Sequence, residues 1–219
     1  MNLSLFKKTV KSNQLNLIHK IHRIKGFTIV ELVVTIALFV FMTSFLLIKY
    51  SSFHSGVLTT NLAYDVAITI RQAQSYGLYV KQSQATLNSF SSAYGVYFST
   101  ASNSNNSFLL FEDRPSPSNS DGLYSAANDS VISTYRMKNG AKIVSIKATS
   151  NPNNLNSLTT LNNLHITYRR PQPRALIYSA GMGGGGGPGI YRYAEITISG
   201  SDGDTRKIIV RQDGQITVQ

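Results

Sequence analysis

The residue best placed to do chemistry is Glu31. It is the only charged side chain among the 22 residues Phe27 to Ile48, FTIVELVVTIALFVFMTSFLLI. A carboxylate inside so apolar a run needs a named partner, because an unpaired charge in hydrocarbon is costly. Its nearness to the start of the run leaves a second reading open, in which it snorkels to the interface. A second group is the basic set Arg169, Arg170 and Arg174 with Arg206, Lys207 and Arg211. Adjacent strands would lay these on one positive face, with Tyr168, Tyr178, Tyr191 and Tyr193 near enough to stack on bases. An ordinary solvated strand face accounts for the same residues and is the preferred reading.

Other candidates carry less. His19, His22, His54 and His165 lie in separate segments and form neither a metal set nor a triad. The run GMGGGGGPG at 181–189 lacks the Lys-Ser/Thr that closes a phosphate loop, so a flexible connection between strands is expected. Asp202 and Asp204 are too few oxygens for Ca²⁺ and read as a hairpin turn. With no Cys in the chain, disulfides, thiolate metal sites and cysteine nucleophiles are excluded. No cofactor, metal or enzymatic activity is expected.

The elements that must position Glu31 follow from charge and periodicity. The 219 residues carry 21 Lys plus Arg against 10 Asp plus Glu, a net +11. Six of those positive charges, Lys7, Lys8, Lys11, Lys20, Arg23 and Lys25, fall in residues 1–26, which hold no acid. As a helix the apolar run is roughly 33 Å long, enough to cross a bilayer core. Bases crowd its N-terminal side, and beyond Lys49 the next is Arg71, so the positive-inside rule puts residues 1–26 in the cytoplasm. The run is too long, and its flank LIKYSSFHS too unlike a cleavage site, for a secretory signal. A plain single-pass anchor explains the length and flanks but leaves Glu31 without a role.

After a Ser/Gly break (Ser51, Ser52, Ser55, Gly56), Leu62, Val66, Ile70, Ala73 and Gly77 recur at steps of three or four. That spacing predicts an amphipathic helix over 57–81 with its stripe against a sheet, joined to the apolar run as one long helix over 27–81 that can bend near Gly56. Strands are predicted at 94–98, 107–112, 131–137, 142–149, 164–170, 174–179, 190–199, 205–211 and 215–218 from alternation and β-branched content. SDGD (201–204) and QDG (212–214) read as hairpin turns. The fold class expected is α+β, a long N-terminal helix packed on antiparallel β-sheet.

Lys25-Gly26-Phe27-Thr28-Ile29-Val30-Glu31-Leu32 resembles the N-terminal motif of type IV pilins and pseudopilins: a basic leader, Gly, Phe, Glu at the fifth mature position, then an apolar helix. The resemblance implies that a prepilin peptidase cuts between Gly26 and Phe27, where a residue without Cβ leaves the backbone open. It implies N-methylation of Phe27 by the same enzyme. It also implies pairing of Glu31 with the Phe27 amine of a neighbouring subunit. LAYDVAITIRQAQSYGLYVKQ and TRKIIVRQDGQITVQ are similar to the pseudopilin H and fimbrial T-like minor pilins. The absence of Cys, and of any Pro before Pro115, points to a minor subunit.

The organisation expected is therefore a cytoplasmic leader (1–26), a transmembrane and assembly segment (27–48), an amphipathic helix (49–81) and a β-rich extracytoplasmic domain (82–219). The location expected is the cytoplasmic (inner) membrane, single-pass with the N-terminus inside and the C-terminus outside, then an extracytoplasmic fibre. By the resemblance, partners are the peptidase/N-methyltransferase, other pilin or pseudopilin subunits, an inner-membrane assembly platform and the lipid bilayer. The fibre would be a type II secretion pseudopilus or a type IV pilus. The alternative is a fibre-displayed adhesin or DNA-uptake receptor using the basic face. DNA is not the favoured partner, because the C-terminal turn Asp213-Gly214-Gln215-Ile216-Thr217 has no arginine.

Overall fold

A computed structural model describes residues 26–79, 81–83, 91–115, 121–180 and 189–219. Residues 1–25 of the expected leader (1–26) and 181–188 of the glycine run (181–189) lie outside these residues. The chain divides into two units, one ending at Ile48 and one running Lys49–Gln219. A single α-helix, α1 (Ile29–Leu78), contributes to both.

Ser51–Gly56 lie within α1, so the long helix expected over 27–81 runs through the Ser/Gly stretch without a break. Ser or Gly in a helix interior costs only about 0.5–1 kcal/mol against Ala, which burial of the turns that follow outweighs. The carbonyls of Ser55 and Gly56 accept bonds from the hydroxyls of Thr59 (3.0 Å) and Thr60 (2.8 Å). The helix stops at Leu78, three residues short of the expected end. Near that end a Cβ on Gly77 would stand 2.5 Å from the Tyr168 carbonyl oxygen, so only glycine permits the approach to the neighbouring strand.

Among the described residues all strand pairs of the second unit are antiparallel, as expected, and they form two sheets. The first sheet contains β1 (Ala93–Ser99), β2 (Ser107–Asp113), β3 (Ser130–Arg136), β6 (Asn163–Tyr168), β7 (Ala175–Ser179) and β8 (Gly189–Tyr191) in the order β3-β2-β1-β6-β7-β8. The second contains β4 (Lys142–Thr149), β5 (Thr159–Leu161), β9 (Tyr193–Ser199), β10 (Thr205–Arg211) and β11 (Ile216–Val218) in the order β11-β10-β9-β4-β5. The stretch 190–199, expected as one strand, is two. β8 pairs with β7 in the first sheet, and after Arg192 the chain pairs with β4 and β10 in the second. β5 was not anticipated.

Both sheets and the helix contribute to one apolar cluster. Ala63, Val66, Ala67, Ile70 and Ala73 of α1 meet Val96, Phe98, Leu110, Leu164 and Ile166 from the first sheet and Ile143, Ile146, Ile196, Ile198 and Ile208 from the second. Each fully buried Ile, Val or Phe contributes about 1.5–3 kcal/mol, so this cluster is what holds the unit together. The described residues thus form an α+β protein: one long helix, its first part apolar and exposed, and two antiparallel sheets around the core of the second unit.

Candidate functional site

Gly26 and Phe27 precede the helix in non-helical backbone; both are exposed, and nothing stands within 4 Å of where a Gly26 Cβ would be. Thr28 ends that segment by capping α1. Its hydroxyl accepts from the Glu31 amide at 3.2 Å, and its carbonyl accepts from the Leu32 amide at 3.0 Å. Thr-x-x-Glu is the capping-box pattern, here with the first of its two reciprocal bonds made. Glu31 therefore sits in the first turn, where the helix dipole favours a negative charge. That local role was legible in T-x-x-E and was missed in reading the sequence.

Beyond Glu31, Ile29–Leu47 is long and apolar enough to cross a membrane, and none of it is buried by the rest of the protein. Its hydroxyls are spent on its own backbone: Thr35 donates to the Leu32 carbonyl, Thr43 to Phe39 and Ser44 to Val40, at 2.8–2.9 Å. Such back-bonding leaves a helix whose polar side chains make no demand on their surroundings.

The six basic residues do not share a strand face. Arg169, Arg170 and Arg174 line a cavity of about 110 Å³ in the β6–β7 connection of the first sheet, whereas Arg206, Lys207 and Arg211 are on β10 of the second. On β10 successive side chains alternate sides, which separates Arg206 from Lys207. Arg206 Nε donates to Thr60 Oγ1 of α1 at 3.0 Å, while Lys207 Nζ lies 2.9 Å from Glu195 Oε1. That hydrogen bond and charge raise the Lys207 pKa. Arg211 stands over the Tyr193 ring at 5.9 Å, and a backbone bond from Ala175 N to Gln212 O (2.9 Å) brings it towards the Arg174 turn. Tyr168, Tyr191 and Tyr193 are buried, so they offer no stacking platform.

A buried polar cluster on the first sheet went unseen in the sequence. Residues 121–129 lie against the face opposite the main core, held by acceptors that titrate. Asp113 Oδ2 accepts from Gly122 N (2.8 Å), His165 Nδ1 from Tyr124 N (2.8 Å) and Asp129 Oδ2 from Ser125 N (2.7 Å). Because Nδ1 accepts, the His165 proton is on Nε2. Burial pushes Asp113 up to about 7, against its backbone hydrogen bond from Gly122 and with help from the Asp129 charge. Burial likewise raises Asp129 and lowers His165 to about 4. The signal available beforehand was weak: isolated acids at strand ends and an Asp-Gly turn at Asp121-Gly122.

Among the described residues no three His, Asp or Glu side chains group as a metal site. No known protein family matches the chain, and neither a curated protein nor a solved structure does.

Proposed function

We propose that this chain is a pilin-like subunit of the minor pilin or pseudopilin kind. On this reading it is cut between Gly26 and Phe27 by a prepilin peptidase, N-methylated on Phe27, and assembled through its N-terminal helix into a type IV pilus or type II secretion pseudopilus. The supporting observation is local. The Gly26–Phe27 bond lies in exposed, non-helical backbone directly before a capped helix, and Glu31 follows in the first helical turn. A protease needs extended, accessible chain, and the first turn of a helix resists one.

The exposed apolar stretch Ile29–Leu47 is then the transmembrane half of the helix. The half that shares its core with the sheets carries the extracytoplasmic domain. During assembly the first half leaves lipid for the helices of neighbouring subunits, and Glu31 pairs there with the neighbour's Phe27 amine, which sets axial register.

Intact-mass measurement in cells with a prepilin peptidase tests the reading. Loss of residues 1–26 and a gain of about 14 Da on the new N-terminus, a methyl group in place of a hydrogen, are expected of the wild type, and retention of the leader is expected of Gly26→Val because a β-branched side chain stiffens the backbone. Wild-type chain that keeps its leader would sink the proposal.

A further inference from the structure

The second unit holds a pocket of about 320 Å³ that no part of the assembly reading uses. One wall is α1, through Ser55, Leu58, Asn61, Leu62 and Asp65; the others are the connection from β3 to β4 and the β9–β10 turn. The size falls at the lower end of ligand sites. The β3–β4 wall is stiff: Asn139 and Gly140 take φ of 55° and 72°, and Ala141 N bonds to Lys138 O at 3.1 Å. Asn-Gly is the pair that such a turn requires.

Three observations point to a ligand. Ser55 is 5% exposed and its hydroxyl has no partner, although the hydroxyls of Thr59, Thr60 and Thr69 along the same helix all bond back to its carbonyls. A buried hydroxyl left unpaired costs about 1–3 kcal/mol, which a ligand oxygen would recover. Arg136 and Lys138 line the opposite wall with no ion-pair partner among the described residues, and Asp65 faces them equally unpaired. The Ser201 hydroxyl is already given to Asp202 at 3.2 Å, so it does not compete. Among the described residues no aromatic ring lines the pocket, so none of them offers the usual platform for a base or a sugar face.

The geometry points to a binding site for an acidic segment of a partner polypeptide. Its carboxylate is held by Arg136, Lys138 and the Ser55 hydroxyl, and its peptide N–H groups turn to Asp65. Leu58 and Leu62 cover the methylene stem. The inference rests on the subunit reading only for the source of the segment, a neighbouring subunit, and not for the chemistry of the pocket.

The test titrates the full chain, ¹⁵N-labelled in detergent micelles, with acetyl-Gly-Asp-Gly-amide and with its Gly-Asn-Gly counterpart. Saturable shifts of the Asn139 and Ser201 amides are expected with the acidic peptide, at about tenfold higher affinity than with the neutral one, as a charged hydrogen bond implies. R136Q should weaken acidic-peptide binding by about tenfold with an unchanged melting temperature, and Ser55→Ala by a few-fold with a melting temperature no lower than wild type, since it removes an unpaired buried hydroxyl. Equal binding of the two peptides, no saturable shift, or an R136Q chain that binds normally would overturn the site. Leader removal, read separately by mass, divides the two claims. A processed chain that ignores the peptide loses the pocket and keeps the subunit reading. A peptide-binding chain that retains its leader keeps the pocket and loses the neighbouring subunit as source.

Discussion

The two units meet the same demand, covering apolar surface, in opposite ways. In the second unit, Phe98, Ile166 and Ile196 are wholly buried against other parts of the chain. In the first, Phe39, Phe41 and Leu47 are 68–73% exposed, and the other large apolar side chains along Ile29–Leu47 are exposed as well. The polar groups differ in the same sense. Asp113, Asp129 and His165 accept from backbone amides 9, 15 and 41 positions away, whereas Thr35, Thr43 and Ser44 bond to their own helix turn. A domain that is complete in itself buys specificity by cross-linking its parts. A segment that satisfies its own backbone and leaves its apolar surface bare is built to be covered by something else, lipid or another helix.

Substitution at matched side chains breaks that comparison most directly. Phe98→Ala empties a fully buried position and should lower the stability of the second unit by about 3–5 kcal/mol. Phe39→Ala, the same chemical change on an exposed ring, should leave its melting temperature where it was. Differential scanning of both chains in micelles decides; equal losses would mean that the first unit is folded into the core after all. Next in size is charge. Val40→Lys places an ammonium in the middle of the apolar stretch at about 2.5–3.5 kcal/mol on translocon-insertion scales, and should shift the chain out of the alkali-resistant membrane fraction. Val144→Lys, on an exposed position of β4, should change neither membrane retention nor stability beyond about 0.5 kcal/mol.

The buried titrating groups sharpen the comparison further, since only the second unit has them among the described residues. Asp113 is raised from 3.8 to about 7, so the folded state holds its proton more tightly and this contribution is lost as pH rises from about 3.8 to 7. His165 is lowered from 6.5 to about 4, so its contribution is present above 6.5 and lost as pH falls towards 4. Across pH 4 to 6.5 the two slopes oppose, and the wild-type melting temperature should vary little there. Asp113→Asn removes the falling limb, leaving stability that rises with pH through that window. His165→Gln removes the rising limb, leaving stability that falls. A pH series of thermal melts reads both, and parallel profiles for the two variants would refute the assignment.

How far the sequence revealed this fold depends on whether a feature was local. The exposed stretch was legible because length and hydropathy belong to one segment. The stripe Val66, Ile70 and Ala73 was legible because helical periodicity survives in three dimensions, and all three are buried. The division at Arg192 was not, because Ile190 is exposed and Tyr191 and Tyr193 are buried on either side of an exposed Arg192. Alternation runs through the point where the chain changes sheets, and a change of pairing partner leaves no mark on a period of two. For the same reason the six basic residues looked like one face: spacing along a strand says which side a residue takes, not which sheet the strand joins. The cluster around Asp113 and His165 joins residues up to 52 positions apart, and only the folded chain brings them together.

Glu31 makes a local bond through its backbone amide and is proposed to make a distant one through its carboxylate, and the smallest predicted effects separate the two. Thr28→Ala removes the acceptor of the Glu31 amide and should cost the helix start about 1 kcal/mol, seen as faster hydrogen exchange at Glu31 and Leu32. The second unit should not register it. Glu31→Gln keeps a residue that a capping box accepts as readily as Glu, but discards the charge. If Glu31 serves only its own helix, Gln should leave exchange and fibre incorporation near wild type, while Thr28→Ala alters the first. If Glu31 pairs with a neighbour's amine, Gln should leave exchange near wild type and still lose incorporation, because a neutral amide cannot offset the buried ammonium. Leader removal should survive in both variants, so a defect in cleavage would assign Glu31 to recognition by the peptidase and not to either bond.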